Sequence, residues 1–199
     1  MRKLIRTTQK GAGVAVPTVL MIVLCSGRPA AQAARPFARS VNPVTDSVRD
    51  LLTRHARNLI ASAELMPSEK YAYQPTSGQL TFGALMAHVV QTNVAICSAF
   101  TATTPPLRPE DLKKMSGTDS KDTLVTAIKQ SFDYCASGIT GLEDAALSDE
   151  ASMFGRQTGM SRANALLTIA IDWADHYSTA ASYLRLNGIL PPTAQPKKP

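Results

Sequence analysis

At 199 residues, 44% of them hydrophobic and 6% aromatic, the chain is long enough for one domain with a real core and too short for two generous ones. Its formal charge of +6 is concentrated at the start: residues 1–33 hold Arg2, Lys3, Arg6, Lys10 and Arg28 and no acid, so the remainder balances 16 basic against 15 acidic residues. That near-neutral remainder, with no Lys/Arg cluster interleaved with aromatics, lacks the electrostatic footprint of a nucleic-acid binder.

In chain order, the basic stretch comes first, an apolar run over residues 14–24 follows, and Ala31-Gln32-Ala33 offers a small-residue cleavage site. This pattern predicts a secretory signal peptide over residues 1–33 and a periplasmic or secreted product. Pro17 interrupts the apolar run, which falls short of the ~18–20 residues a spanning helix needs. A lipoprotein reading through Cys25 fails because Leu24 stands where such signals place a small residue. After cleavage no membrane association is expected.

Residues 34–42 read as a flexible lead-in. Asn42-Pro43 then supplies an N-cap and a proline at the first helical position, opening a first helix to Leu65 with Val48, Leu52, Leu59 and Ala63 on its apolar stripe. Pro67 ends it. A turn-rich connector over residues 67–78 carries Tyr71 and Tyr73, read as covering one end of the core. A second helix spans residues 81–100, with Phe82, Leu85, Met86 and Val89 inward, and the prolines of residues 103–109 break the chain.

Ser120 caps a third helix to residue 140, with Leu124, Ile128 and Phe132 at helical spacing. Residues 141–160 lack a sustained period and suggest an irregular excursion or a short helical turn. Ser161 starts the last helix, carrying Leu166, Ile169, Trp173 and Leu184, which Gly188 and Pro191-Pro192 stop. Residues 193–199 read as a disordered tail. With no strand run and no repeat, residues 43–192 are expected to form an all-α four-helix bundle. Connections of roughly 15–20 residues around the third helix exceed the usual ~2–8 and imply longer crossovers. Cys97 and Cys135, the cysteines beyond the signal, fit either one disulfide or two buried small apolar residues.

The side chains that carry chemistry are Asp172 and His176, with His88 on the second helix. Residues four apart lie about 40° from each other around a helix, so Asp172 and His176 can converge on one ion. A carboxylate at a core edge is costly unless bonded, paired or bound to a cation; a metal meets that need, and so would Arg162 or Arg185. His88 reads either as a third ligand or as a hydrogen-bonded core histidine. His55 reads as a fourth ligand, a donor behind the ligands, or a satisfied core residue. Asp175 points to the other, wet side of the last helix. Tyr177 is read first as packing.

Glu69-Lys-Tyr71-Ala-Tyr73-Gln-Pro75, Thr81-Phe82-Gly83-Ala-Leu85-Met-Ala-His88-Val89, Asp172-Trp-Ala-Asp-His176-Tyr177 and Tyr183-Leu184-Arg185-Leu-Asn-Gly188-Ile189-Leu-Pro191-Pro192 together resemble the DinB/YfiT-like bacterial metalloenzyme family over most of residues 44–192. The resemblance implies a four-helix bundle in which a histidine of the second helix joins a His-x-x-x-His pair on the last to bind a divalent metal, zinc or nickel. His88 and His176 match this pattern. Asp172 stands where the first histidine of the pair is usual. Two imidazoles and a carboxylate still suit zinc with an open position, or iron(II).

The resulting expectation is an exported metal-dependent hydrolase or transferase of a small molecule, with His88, Asp172 and His176 as metal ligands. No catalytic base is readable, and homodimer formation is left open. Some relatives depend on cytosolic thiols, an activity that transfers poorly to an exported chain. The alternative is a non-catalytic exported bundle that binds a small ligand or a protein partner, its polar trio structural.

Overall fold

A computed structural model of the chain describes residues 39–196. The expected signal peptide and the first part of the lead-in lie outside the described residues, as do residues 197–199. The elements are α1 (Pro43–Leu65), α2 (Phe82–Cys97), α3 (Pro109–Lys114), α4 (Lys121–Thr140), β1 (Glu150–Met153), β2 (Arg156–Ser161) and α5 (Arg162–Leu186). Among the described residues no helix is long and apolar enough to cross a membrane.

Four long helices make the bundle. α1 and α2 each pack against both α4 and α5, so α1 and α2 stand diagonally across from each other and their connector must cross the end of the bundle. Trp173, Phe82, Leu59, Met86, Leu124 and Ile128 are fully buried at its centre. One buried polar network joins three helices there: Trp173 Nε1 donates to Asn93 Oδ1 (2.7 Å), Asn93 Nδ2 to Ser131 Oγ (3.0 Å), and Ser131 Oγ to the Ile128 carbonyl (2.8 Å). Each of these polar atoms is satisfied, which low-dielectric burial demands.

Helix starts follow local chemistry, with one exception. Thr81, Ser120 and Ser161 accept from the backbone N–H three residues on, as N-cap side chains do. Asn42 does not cap α1. Asp144 does so instead, accepting from the backbone N–H groups of Val44 (2.9 Å) and Thr45 (2.8 Å) and from the Thr45 hydroxyl, while Asn42 Oδ1 accepts from the Asp144 N–H (2.9 Å). The expected cap thus accepts a hydrogen bond from its replacement, across about a hundred residues of sequence.

The segment expected to be irregular or briefly helical holds a short helical turn at Asp144–Ala146 and, beyond that expectation, an antiparallel hairpin with Ser152 opposite Gln157 and Met153 opposite Arg156. Its strands have no β-branched alternation to announce them. They are held by tertiary packing, with Ala151 buried against Ala99 and Ala165. α3 is a further departure from expectation, one short helix that starts on the last proline of the break. α2 ends at Cys97 rather than near residue 100, and Cys97 and Cys135 form a disulfide that ties α2 to α4, which settles the two alternatives for these thiols. At the far end of the chain, Pro192–Ala194 form a helical turn in which Thr193 bonds the Tyr177 hydroxyl (2.7 Å), so the segment read as a disordered tail begins with a docked turn.

Candidate metal centre

α5 presents Asp172 and His176 toward the seam it shares with α2, and α2 presents His88 from the other side. The His88 and His176 rings lie 4.9 Å apart between centroids, tilted by 36°. His176 Nε2 faces Asp172 Oδ2 at 3.6 Å, beyond hydrogen-bond length. Both atoms are buried and neither has a hydrogen-bond partner. Leaving a buried donor or acceptor unmet costs about 1–3 kcal/mol, so this pair of facing atoms marks a place where a ligand would repay what folding does not.

The alternative of an arginine partner for Asp172 is not what the fold provides. Arg162 reaches Asp149 (3.4 Å), and among the described residues His176 is the basic side chain that Asp172 has within 4.0 Å. Asp175, expected to be wholly in solvent, is 76% exposed yet brings Oδ2 to 3.6 Å from His176 Nδ1. His176 is therefore flanked by one carboxylate at each nitrogen. Acids at the fourth and first positions before one histidine are the sequence signal for this arrangement, although helical periodicity alone assigns Asp175 to the wet side.

His55 sits apart, on α1. It is buried with Nδ1 unpartnered and meets Tyr177 edge-on at 6.5 Å between ring centres. Burial, and then the charge of Arg54, pushes its pKa down. Tyr71 is committed to the fold, as its reading as a core-covering residue requires: its hydroxyl donates to the Ala63 carbonyl (2.6 Å), its ring packs on Phe82, and burial, then the charges of Asp122 and Glu64, pushes its pKa up.

These residues fit a divalent cation in donor chemistry. An oxygen and a nitrogen 3.6 Å apart compare with the ~3.3 Å between two donors each ~2.0–2.1 Å from a tetrahedral ion. As folded, the third donor is not drawn in: among the described residues no group of three His, Cys, Asp or Glu side chains is gathered closely enough to hold a metal. The structure thus assembles the Asp172–His176 pair and sets His88 beside it without closing the trio.

Fold and site define the class as a mostly helical four-helix bundle, carrying one small hairpin where an all-α chain was expected, with a histidine–carboxylate cluster at a helix seam. The chain belongs to the DinB superfamily, whose family model matches residues 51–180. Its fold is similar to that of a DinB-like protein from Bacillus cereus ATCC 10987, with a TM-score of 0.58 and 16% identity over 74% of this chain and 95% of that one. A protein assigned to the DinB family from Exiguobacterium sibiricum 255-15 gives 0.53 and 16% over 75% and 95%. A histidine-to-alanine mutant of a mycothiol-dependent maleylpyruvate isomerase gives 0.52 and 18%, over 67% of this chain and 59% of that one. No functionally curated protein matches the chain.

Proposed function

We propose that this chain is an exported member of the superfamily that binds a divalent metal through His88, Asp172 and His176 and acts as a metal-dependent hydrolase or transferase on a small molecule. The observation that carries the metal reading is the buried, unpartnered pair Asp172 Oδ2 and His176 Nε2, which face each other at 3.6 Å with the His88 ring alongside. Imidazole and carboxylate donors favour zinc or nickel, with iron(II) next. Such an ion supplies Lewis acidity and lowers the pKa of water. Asp172 contributes the charge that balances it, and Asp175 adds a second carboxylate 3.6 Å from the opposite nitrogen of His176, beyond hydrogen-bond length.

Export rests on the N-terminal pattern and is supported by the Cys97–Cys135 bond, because disulfides persist in oxidising compartments. The thiol dependence named for one structural neighbour is not carried over. A disulfide-bearing chain of this kind works away from the reducing thiol pool.

Protein purified without an affinity tag is expected to hold near-stoichiometric metal, and His176→Ala to lose it. Zinc or nickel added to metal-free protein is expected to raise its melting temperature, since a ligand at a hundred times its Kd stabilises the folded state by about 2.7 kcal/mol. Metal-free wild-type protein that melts identically with and without either ion would overturn the reading in favour of a non-catalytic bundle.

A further inference from the structure

Gln91 and Ala95 follow His88 along the same side of α2, and there a cavity of about 650 Å³ opens between α2, α3 and the tip of the hairpin. Gln91 builds its wall. The Nε2 of Gln91 donates to the carbonyls of Leu112 (2.9 Å) and Met115 (3.1 Å), fixing α3 over α2. The interior is apolar, with Leu112 buried and Met153 half-buried, whereas Lys113, Phe154 and Arg156 are exposed around it.

Two features of this cavity have no structural use. Neither Lys113 nor Arg156 has a carboxylate within 4.0 Å among the described residues. The nearby acids are engaged elsewhere: Glu110 and Asp111 both pair with Arg108, and Glu150 accepts from the Gly159 N–H. The second feature is Phe154. It lies in the left-handed region at φ 50° in a two-residue turn whose other member, Gly155, has φ 76°, a position that Asn, Asp or Gly normally fills. Phe154 is nonetheless 42% exposed at the mouth of the cavity. Ser98 holds this turn in place by accepting from the Phe154 N–H (3.2 Å).

We infer that the cavity binds a small amphipathic anion, an alkyl or aryl carboxylate whose apolar part lies against Leu112, Met153 and the Phe154 ring and whose head pairs with Lys113 and Arg156. Its volume falls within the roughly 300–1,000 Å³ of small-molecule sites, which combine an apolar lining with a few polar groups that fix orientation. The site contains none of His88, Asp172 or His176 and does not depend on the metal reading.

The test is calorimetric titration of the protein with decanoate below its micellar concentration, with decyltrimethylammonium as the control of equal tail and opposite charge. Saturable one-to-one binding of decanoate and none of the cation are expected. Lys113→Glu combined with Arg156→Glu should weaken decanoate about tenfold or more. Phe154→Gly should weaken it too while the melting temperature holds or rises, because glycine adopts positive φ freely. His176→Ala should leave affinity unchanged. Non-saturable decanoate binding, equal binding of the cation, or full affinity in either the charge-reversed or the Phe154→Gly protein would overturn the inference. So would loss of binding in His176→Ala, which would move the anion to the histidine centre.

Discussion

At Asp172 a carboxylate oxygen is buried opposite an imidazole nitrogen that also lacks a partner, and the two residues together decide what the seam can hold. Asp172→Asn removes the charge but supplies an N–H that His176 Nε2 can accept. Metal-free Asp172→Asn is therefore expected to melt at or above the wild-type temperature, while its zinc affinity falls by more than the roughly 10- to 100-fold that losing a ligand's outer partner costs. Asp172→His, which restores the paired histidines that the family resemblance implies, should bind zinc more tightly than wild type; thermal melts with and without the ion measure both. Asn93 poses the contrasting case of a polar residue whose bonds are all made within the fold. Asn93→Ala strands Trp173 Nε1 and removes the partner of Ser131, so an expected loss of about 2–4 kcal/mol should appear in urea unfolding without a change in metal affinity.

The start of α1 shows how an element can depend on chemistry far along the chain. Partial burial alone would raise the Asp144 pKa. The Thr45 hydroxyl, the N–H groups of Val44 and Thr45 and the charge of Arg49 outweigh it and hold the carboxyl below its ordinary value. A carboxylate with a lowered folded pKa contributes stability above its unfolded pKa, about 4, and loses it as pH falls through the folded value. Asp144→Ala should therefore lower the melting temperature at pH 7 and flatten its fall below about pH 4, with the difference from wild type vanishing at the acid end. No local pattern could reveal this cap, because Asp144 sits about a hundred residues from the helix it closes. What could be read in the sequence was local: Pro43 and Pro67 bracket α1, and Thr81, Ser120 and Ser161 open three helices with their own hydroxyls. The hairpin and α3 escaped because both owe their form to what they pack on. For the site, four-residue spacing and the family resemblance placed Asp172, His176 and His88 on facing helices. Periodicity carries no distance, however, so neither the close approach of the two tilted rings nor the open trio could be foreseen.

For the molecule as a whole, α2 and α4 pack side by side although a long stretch carrying α3 separates them in sequence, and the covalent tie between them acts on the cost of ordering that stretch. Cys97 and Cys135 close a separation of 38 residues, and both are completely buried. Constraining an unfolded chain over such a loop is worth about 2–4 kcal/mol. Cys97→Ala with Cys135→Ala should lower the unfolding free energy by about that amount. Its denaturant slope should rise, since the untied chain exposes more surface when it opens. Wild-type protein unfolded with a strong reductant present should approach the double variant, whereas the variant should not respond to reductant. The same comparison bears on where the chain resides. Protein recovered from the periplasm is expected to show no free thiol in denaturant, and the same chain made without residues 1–33 should stay reduced in the cytosol and fall short in stability by the margin that separates the variant from wild type. Free thiols in the periplasmic protein would sever the link between this bond and export, leaving the N-terminal pattern to support it alone.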